Sequence, residues 1–140
     1  MKGIHPAVVL DSAEFWKFAQ RREFRCQCCR NCGRFRWPSS PACFHCLSLD
    51  AEWTPLAGTG TLQSWVTYRR QYFAEFPPPY VVGLVQLLEG PRYPSLLVGV
   101  DVNAVRYGMA LHVTFVDVVD ERGETMLIPM FQANAACPTT

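Results

Sequence analysis

Cys29, Cys32, Cys43 and Cys46 stand as two Cys-x2-Cys pairs separated by ten residues. Thiolates two residues apart can both reach one ion while the backbone between them turns, and two such knuckles complete a tetrahedral sulfur shell. The chemistry expected of this array is the binding of one zinc ion. A shell filled by protein leaves no position for a substrate, so the ion is expected to hold a small subdomain together rather than to react. Other frames compete: Cys26 and Cys29 repeat the spacing, Cys28 lies between them, and His45 sits inside the second pair as a substitute ligand. Gly33 favours the Cys29/Cys32 pair, because a glycine there can take the positive φ that turns backbone amides toward sulfur. The second pair is followed by Leu47 instead.

Two other uses of cysteine fit less well. A disulfide framework needs an oxidising compartment, yet the apolar run near the N-terminus is too short for a secretory signal and seven cysteines leave one unpaired. A redox dithiol needs one pair, not two within eighteen residues. A reducing, cytoplasmic setting is the expectation, with Cys137 a bystander. His5, His45 and His112 have no recognisable partner for acid–base work: His5 is expected in a frayed terminus, His45 in a knuckle and His112 in a structural role on a strand. No nucleophile elbow, phosphate-cradling glycine loop or paired carboxylates at helical spacing accompany them.

The elements around the array follow from patterning. The chain has 140 residues, of which 49% are hydrophobic, enough for a real core, and carries a net charge of +1. That balance argues against a global attraction to nucleic acid or anionic membrane, and no stretch approaches the roughly 20 apolar residues of a membrane span. Charge is uneven, with Arg21, Arg22, Arg25, Arg30, Arg34 and Arg36 against the single acid Glu23. Asp11 or Ser12 is expected to cap a helix running to about Glu23, with Phe15 and Trp16 docking on the protein's own core or meeting a partner. A ribbon follows, with Pro38 and Pro41 keeping its spacer extended.

Strand signals begin at Trp53. Residues 58–68, 80–88, 96–102, 111–119 and 126–131 alternate or run apolar, separated by Gly and Pro turns. The predicted fold is mainly β: an N-terminal helical segment (1–24), a zinc ribbon (25–50), a closed five-stranded antiparallel barrel of the OB type (51–132) and a tail (133–140).

The helix with Phe15-Trp16, Cys29-Arg30-Asn31-Cys32-Gly33, a proline-containing spacer, Cys43-x2-Cys46, Glu52-Trp53, Gly58-Thr59-Gly60-Thr61-Leu62-Gln63-Ser64, Pro79-Tyr80-Val81-Val82 and Leu88-Glu89-Gly90-Pro91-Arg92 resemble, in order, the acyl-CoA-associated family that joins a rubredoxin-like zinc ribbon to an OB-fold. The resemblance implies a non-catalytic accessory subunit in a hetero-oligomer with a thiolase-fold enzyme: a thiolase, a synthase, a side-chain aldolase or a CoA-thioester hydratase. The partner would act on fatty or steroid acyl-CoA. Pro38-Ser39-Ser40 replaces the family's usual Pro-Pro-Arg, and Leu47 stands where a glycine is common.

Between the first two barrel strands, residues 68–80 interleave arginines with aromatics and end in a proline run. In OB-folds this loop borders the ligand face. Arg69 and Arg70 are candidates for CoA phosphates, and Phe73, Phe76 and Tyr80 for an apolar acyl path. The same aromatics could anchor a partner enzyme, or cover the open end of their own barrel. A single-stranded nucleic-acid binder is the rival class, since stacking platforms on an OB-fold also describe it, though little groove charge supports it.

Overall fold

The computed structural model describes residues 1–134; Cys137 lies outside them. A 3-10 turn, Leu10–Ser12, leads into α1, Ala13–Gln20. The helix stops three residues short of the expected Glu23. Arg22 takes φ 60°, and the amides of Arg22 and Glu23 bond back to the carbonyls of Ala19 (3.0 Å) and Phe18 (3.0 Å). This is a Schellman closure with arginine where glycine is usual. Phe15 and Ala19, four residues apart, are the buried face. The Gln20 amide group docks α1 on the barrel, donating to the Leu127 carbonyl (3.0 Å) and accepting from the Leu127 amide (2.9 Å).

The ribbon is a three-stranded sheet of order β2-β1-β3, comprising β1 (Arg25–Cys29), β2 (Phe35–Arg36) and β3 (Ala51–Pro55). Every pairing in it is antiparallel. Residues 51–55 thus hydrogen-bond to β1 rather than to the barrel, so the ribbon sheet reaches past residue 50, where the sequence reading began the barrel.

The barrel comprises β4 (Thr59–Tyr68), β5 (Tyr80–Leu87), β6 (Arg92–Val98), β7 (Ala110–Val119) and β8 (Thr125–Ala133), closed in the order β4-β5-β6-β8-β7. One seam departs from the all-antiparallel expectation: β6 meets β8 in parallel at Leu97↔Phe131 and Val98↔Gln132. β6 also begins at Arg92, not at residue 96, with Tyr93, Ser95 and Leu97 alternating inward. The coiling of β4 comes from a bulge between Leu62 and Ser64. Gly60 serves a different need: a Cβ there would sit 2.5 Å from the Gln86 carbonyl oxygen, so only glycine lets β4 approach β5 so closely.

One core joins the three parts. Phe15 from α1, Phe24 from the ribbon entry, and Leu62, Val85, Tyr93, Leu111 and Phe131 from the barrel form a single buried cluster. Phe15 lies 4.5 Å from the Trp37 ring, 6.1 Å from Phe24 and 6.3 Å from Tyr93, centroid to centroid. Phe15 therefore docks on the protein's own interior. The Tyr93 hydroxyl donates to the Pro129 carbonyl at 3.0 Å, which satisfies its one polar atom.

Candidate functional site: a four-cysteine centre and an apolar cleft

The Sγ atoms of Cys29, Cys32, Cys43 and Cys46 all lie within 4.8 Å of one another. Cys29 and Cys46 are 3.5 Å apart, Cys32 and Cys43 3.6 Å. A tetrahedron built on zinc–sulfur bonds of about 2.3 Å has sulfur–sulfur edges of about 3.8 Å, so these four thiols fit one zinc ion. Its role would be to tie the two knuckles, and with them the ribbon, into one unit.

The two knuckles are built alike. In the first, the Gly33 amide donates to the Cys29 carbonyl (2.8 Å) and the Cys29 amide to the Arg34 carbonyl (2.8 Å); in the second, Leu47 donates to Cys43 (3.1 Å) and Cys43 to Ser48 (2.9 Å). Gly33 has φ 75° and Leu47 φ 64°. The backbone geometry overrides the side chain: Leu47 adopts the left-handed conformation that glycine adopts in the first knuckle, with its side chain exposed. Backbone amides of Cys46 and His45 pointing at Cys43 hold its thiol down to about 6, which favours the thiolate a metal needs.

The competing ligands are placed elsewhere. The Cys26 thiol is buried and pushed up to about 12 by desolvation and the nearby Glu89 carboxylate. Cys28 bonds the Gly33 carbonyl at 3.5 Å. His45 offers its backbone amide, not its ring, to Cys43 (3.4 Å). Asn31, not expected as a partner from the sequence, donates its side-chain amide to Cys46 Sγ at 3.4 Å. Its position between the two cysteines of a knuckle is the signal that could have found it.

A second site lies where α1, the ribbon and the barrel meet. A cleft of about 510 Å³ is walled by Trp16, Trp37, the 68–80 loop, β6 and β8, with the N-terminal residues Ile4, His5 and Pro6 along one side. Its aromatic wall is ordered: Tyr68 stacks on Tyr80 at 4.8 Å, Phe76 lies 5.8 Å from Tyr80, and Phe73 lies 6.3 Å from Phe76. The polar atoms nearby are largely spent inside the protein, Tyr93 on Pro129 and the Ser95 hydroxyl on the Phe131 amide (2.9 Å) and Leu96 carbonyl (2.8 Å). Such a cleft favours an apolar occupant.

Of the loop residues singled out from sequence, Phe73, Phe76 and Tyr80 face this cleft, whereas Arg69 and Arg70 are exposed and outside its lining. The Arg70 guanidinium sits 5.7 Å from the Tyr72 ring centroid. One histidine differs from expectation. His5 is docked rather than frayed, with Nε2 donating to the Val118 carbonyl at 2.7 Å. His112 contacts Asn134 and Gln132, each at 2.7 Å. Among the described residues no helix is long and apolar enough to cross a membrane.

Comparison with known proteins matches both halves. Residues 16–52 match the ChsH2 rubredoxin-like zinc ribbon domain and residues 53–116 the ChsH2 C-terminal OB-fold domain. A probable enoyl-CoA hydratase alpha subunit of Thermomonospora curvata is 32% identical over 91% of this chain and 39% of its own length. A 3-oxo-4,17-pregnadiene-20-carboxyl-CoA hydratase alpha subunit of Mycobacterium tuberculosis is 31% identical over 84% of this chain and 37% of its own. The chain thus spans about two fifths of these curated relatives. A chain of the solved Ltp2-ChsH2(DUF35) aldolase superposes with TM-score 0.82 at 31% identity, over 92% of this chain and 98% of that one. From the paired knuckles to the closed barrel, the chain belongs to the DUF35 family that joins a ChsH2-type zinc ribbon to a C-terminal OB-fold.

Proposed function

We propose that this chain is a non-catalytic accessory subunit of a thiolase-fold enzyme acting on CoA thioesters, with retro-aldol cleavage of a steroid side chain as its reaction. The observation that carries this reading is the full-length likeness to the ChsH2 chain of an aldolase, 98% of which is covered. The apolar cleft of about 510 Å³ supports it, because an apolar acyl group or an apolar partner segment is what its aromatic wall suits. In this reading zinc is structural, Phe73, Phe76 and Tyr80 contact the acyl group, and Arg69 and Arg70, exposed outside the cleft, meet the CoA phosphates. The reaction belongs to the partner.

The nucleic-acid alternative loses support from the arginine cluster. Arg21 and Arg25 pair with Glu23, and Arg30 pairs with Asp50. Arg36 is buried and bonds the Ser40 carbonyl and the Gln27 side chain. Four of the six thus have acceptors within the chain, which leaves less unpaired charge to track a phosphate backbone.

The test is co-expression with the host's thiolase-fold aldolase candidates. A stoichiometric complex that cleaves a steroid side-chain CoA thioester, where neither subunit alone does, is the expected result. Failure to co-migrate with any of them, together with oligonucleotide binding that salt abolishes, would overturn the reading.

A further inference from the structure

The N-terminal segment is a strap along the barrel. The Gly3 amide donates to the Val119 carbonyl (3.0 Å), the Val119 amide to the Met1 carbonyl (2.9 Å), and Lys2 pairs with Val119 in parallel. These bonds occupy the side of β7 that its partner β4, paired with it only at residues 110–112, leaves open. Gly3 is pressed against the loop and barrel, since a Cβ there would stand 2.7 Å from Val118 and 3.7 Å from Phe76. The residues that follow, Ile4, His5 and Pro6, form one wall of the apolar cleft.

His5 is the side chain that fastens this strap. Nε2 lies 2.7 Å from the Val118 carbonyl, so it must carry a proton in either charge state. Nδ1 faces Asp120 Oδ2 at 3.7 Å, and both side chains are mostly shielded. When the ring is charged, Nδ1 also carries a proton and the two groups attract. When it is neutral, the lone pair of Nδ1 is turned toward a carboxylate, which repels it. The other charged groups gathered there are Glu75 from the 68–80 loop and Glu121 and Arg122 from the β7–β8 turn. Arg122 is itself engaged with Asp120 (3.5 Å) and Glu124 (3.9 Å). Burial alone would raise the Asp120 carboxyl, but the Glu124 and Arg122 amides, followed by the His5 and Arg122 charges, hold it below the usual carboxylate range. The carboxylate therefore stays ionised while histidine, as a residue type, changes charge between roughly pH 5 and 8.

We propose that the His5–Asp120 pair is a proton-operated clasp, closing the 1–6 strap over the cleft when His5 is charged and loosening it when His5 is neutral. As a control on acyl access, the clasp rests on the reading of the cleft given above; as a property of the strap, it does not. Neutralising the ring removes a partly shielded ion pair, so strap opening should rise about fivefold at most, the equivalent of about 1 kcal/mol.

The test is amide exchange by NMR on the metal-loaded chain, at about pH 5.5 and about pH 8, corrected for intrinsic exchange. Protection of the Gly3 and Val119 amides should fall up to fivefold at the higher pH, while that of Leu62 and Phe131 in the barrel core stays unchanged. His5→Gln keeps a donor for the Val118 carbonyl and Asp120→Asn keeps Oδ1 for the amides of its turn; in both, the pH dependence at Gly3 and Val119 should vanish. Equal protection at the two pH values in the unaltered chain, or a fall that persists in both variants, overturns the clasp. Palmitoyl-CoA binding, measured alongside, tests the other reading separately: no binding at either pH removes the acyl role and leaves the clasp to the exchange data.

Discussion

Replacing Phe15 by alanine asks whether the aromatic helix is part of the protein's own core or a surface kept for a partner. Phe15 is 1% exposed and its ring meets those of Trp16, Phe24, Trp37 and Tyr93 at 4.5 to 6.3 Å. Removing a fully buried phenylalanine loses its transfer free energy and leaves a cavity that rigid aromatic neighbours close poorly, together about 3–5 kcal/mol. Aromatic pair geometry adds to the cost without being separable from it. For a chain of this size that corresponds to a fall in Tm on the order of 10 °C. The assay is thermal unfolding of the zinc-loaded protein by circular dichroism, with Phe15→Leu as the volume-sparing control at about 1.5 kcal/mol. Because Phe15 bridges ribbon and barrel, both should melt in one transition at the lowered temperature. A Phe15→Ala protein that melts within about 2 °C of the unaltered chain and yet fails to bind its partner would refute the reasoning and assign the helix to the interface.

Four further outcomes follow from the ribbon. Cys43→Ser should lose stoichiometric zinc by metal analysis, whereas Cys28→Ser should retain it, because Cys28 lies outside the four-thiol cluster. Iodoacetamide at about pH 8.5 should alkylate Cys28 and spare Cys26, whose burial pushes its thiol up to about 12. The sign of the linkage is that the unfolded chain ionises this thiol near its ordinary value of 9.0 while the folded chain keeps it protonated. The stabilisation is therefore complete below about pH 9 and is lost as pH rises toward 12, and Cys26→Ala should flatten that alkaline loss in denaturant titrations. Leu47→Gly should stabilise the ribbon by about 0.5–1 kcal/mol, as relief of the left-handed leucine exceeds the entropy glycine loses on folding; a lower Tm would contradict it.

How much was legible in the sequence depended on range. The clustering of the four cysteines was legible because their chemistry is local: two residues between thiols and a glycine at Gly33 suffice to frame a knuckle, and the structure brings the Sγ atoms of Cys29, Cys32, Cys43 and Cys46 within 4.8 Å of one another. The five barrel strands were legible from alternation, although β6 begins four residues earlier than expected, where Pro94 and the preceding turn mask the inward Tyr93 and Ser95. The apolar character of Phe73, Phe76 and Tyr80 was legible too, but not that they face one cleft with Trp16 and Trp37, residues far away in the chain.

The sequence by itself determined the paired cysteine spacing that suits a metal, the alternation that makes the barrel strands two-faced, and the aromatic helix that needs burial, since each is set by residues within a few positions of one another. Tertiary structure alone decided what depends on distant partners. Pairing with β1 drew residues 51–55 into the ribbon, closure of the barrel set β6 parallel to β8, and the open side of β7 captured the N-terminal strap. It also put Leu47 in a conformation its side chain disfavours and separated Arg69 and Arg70 from the cleft their neighbours line. Backbone hydrogen bonds and core burial across the fold outweigh the preference of any one residue, and that balance cannot be read from neighbours in the chain.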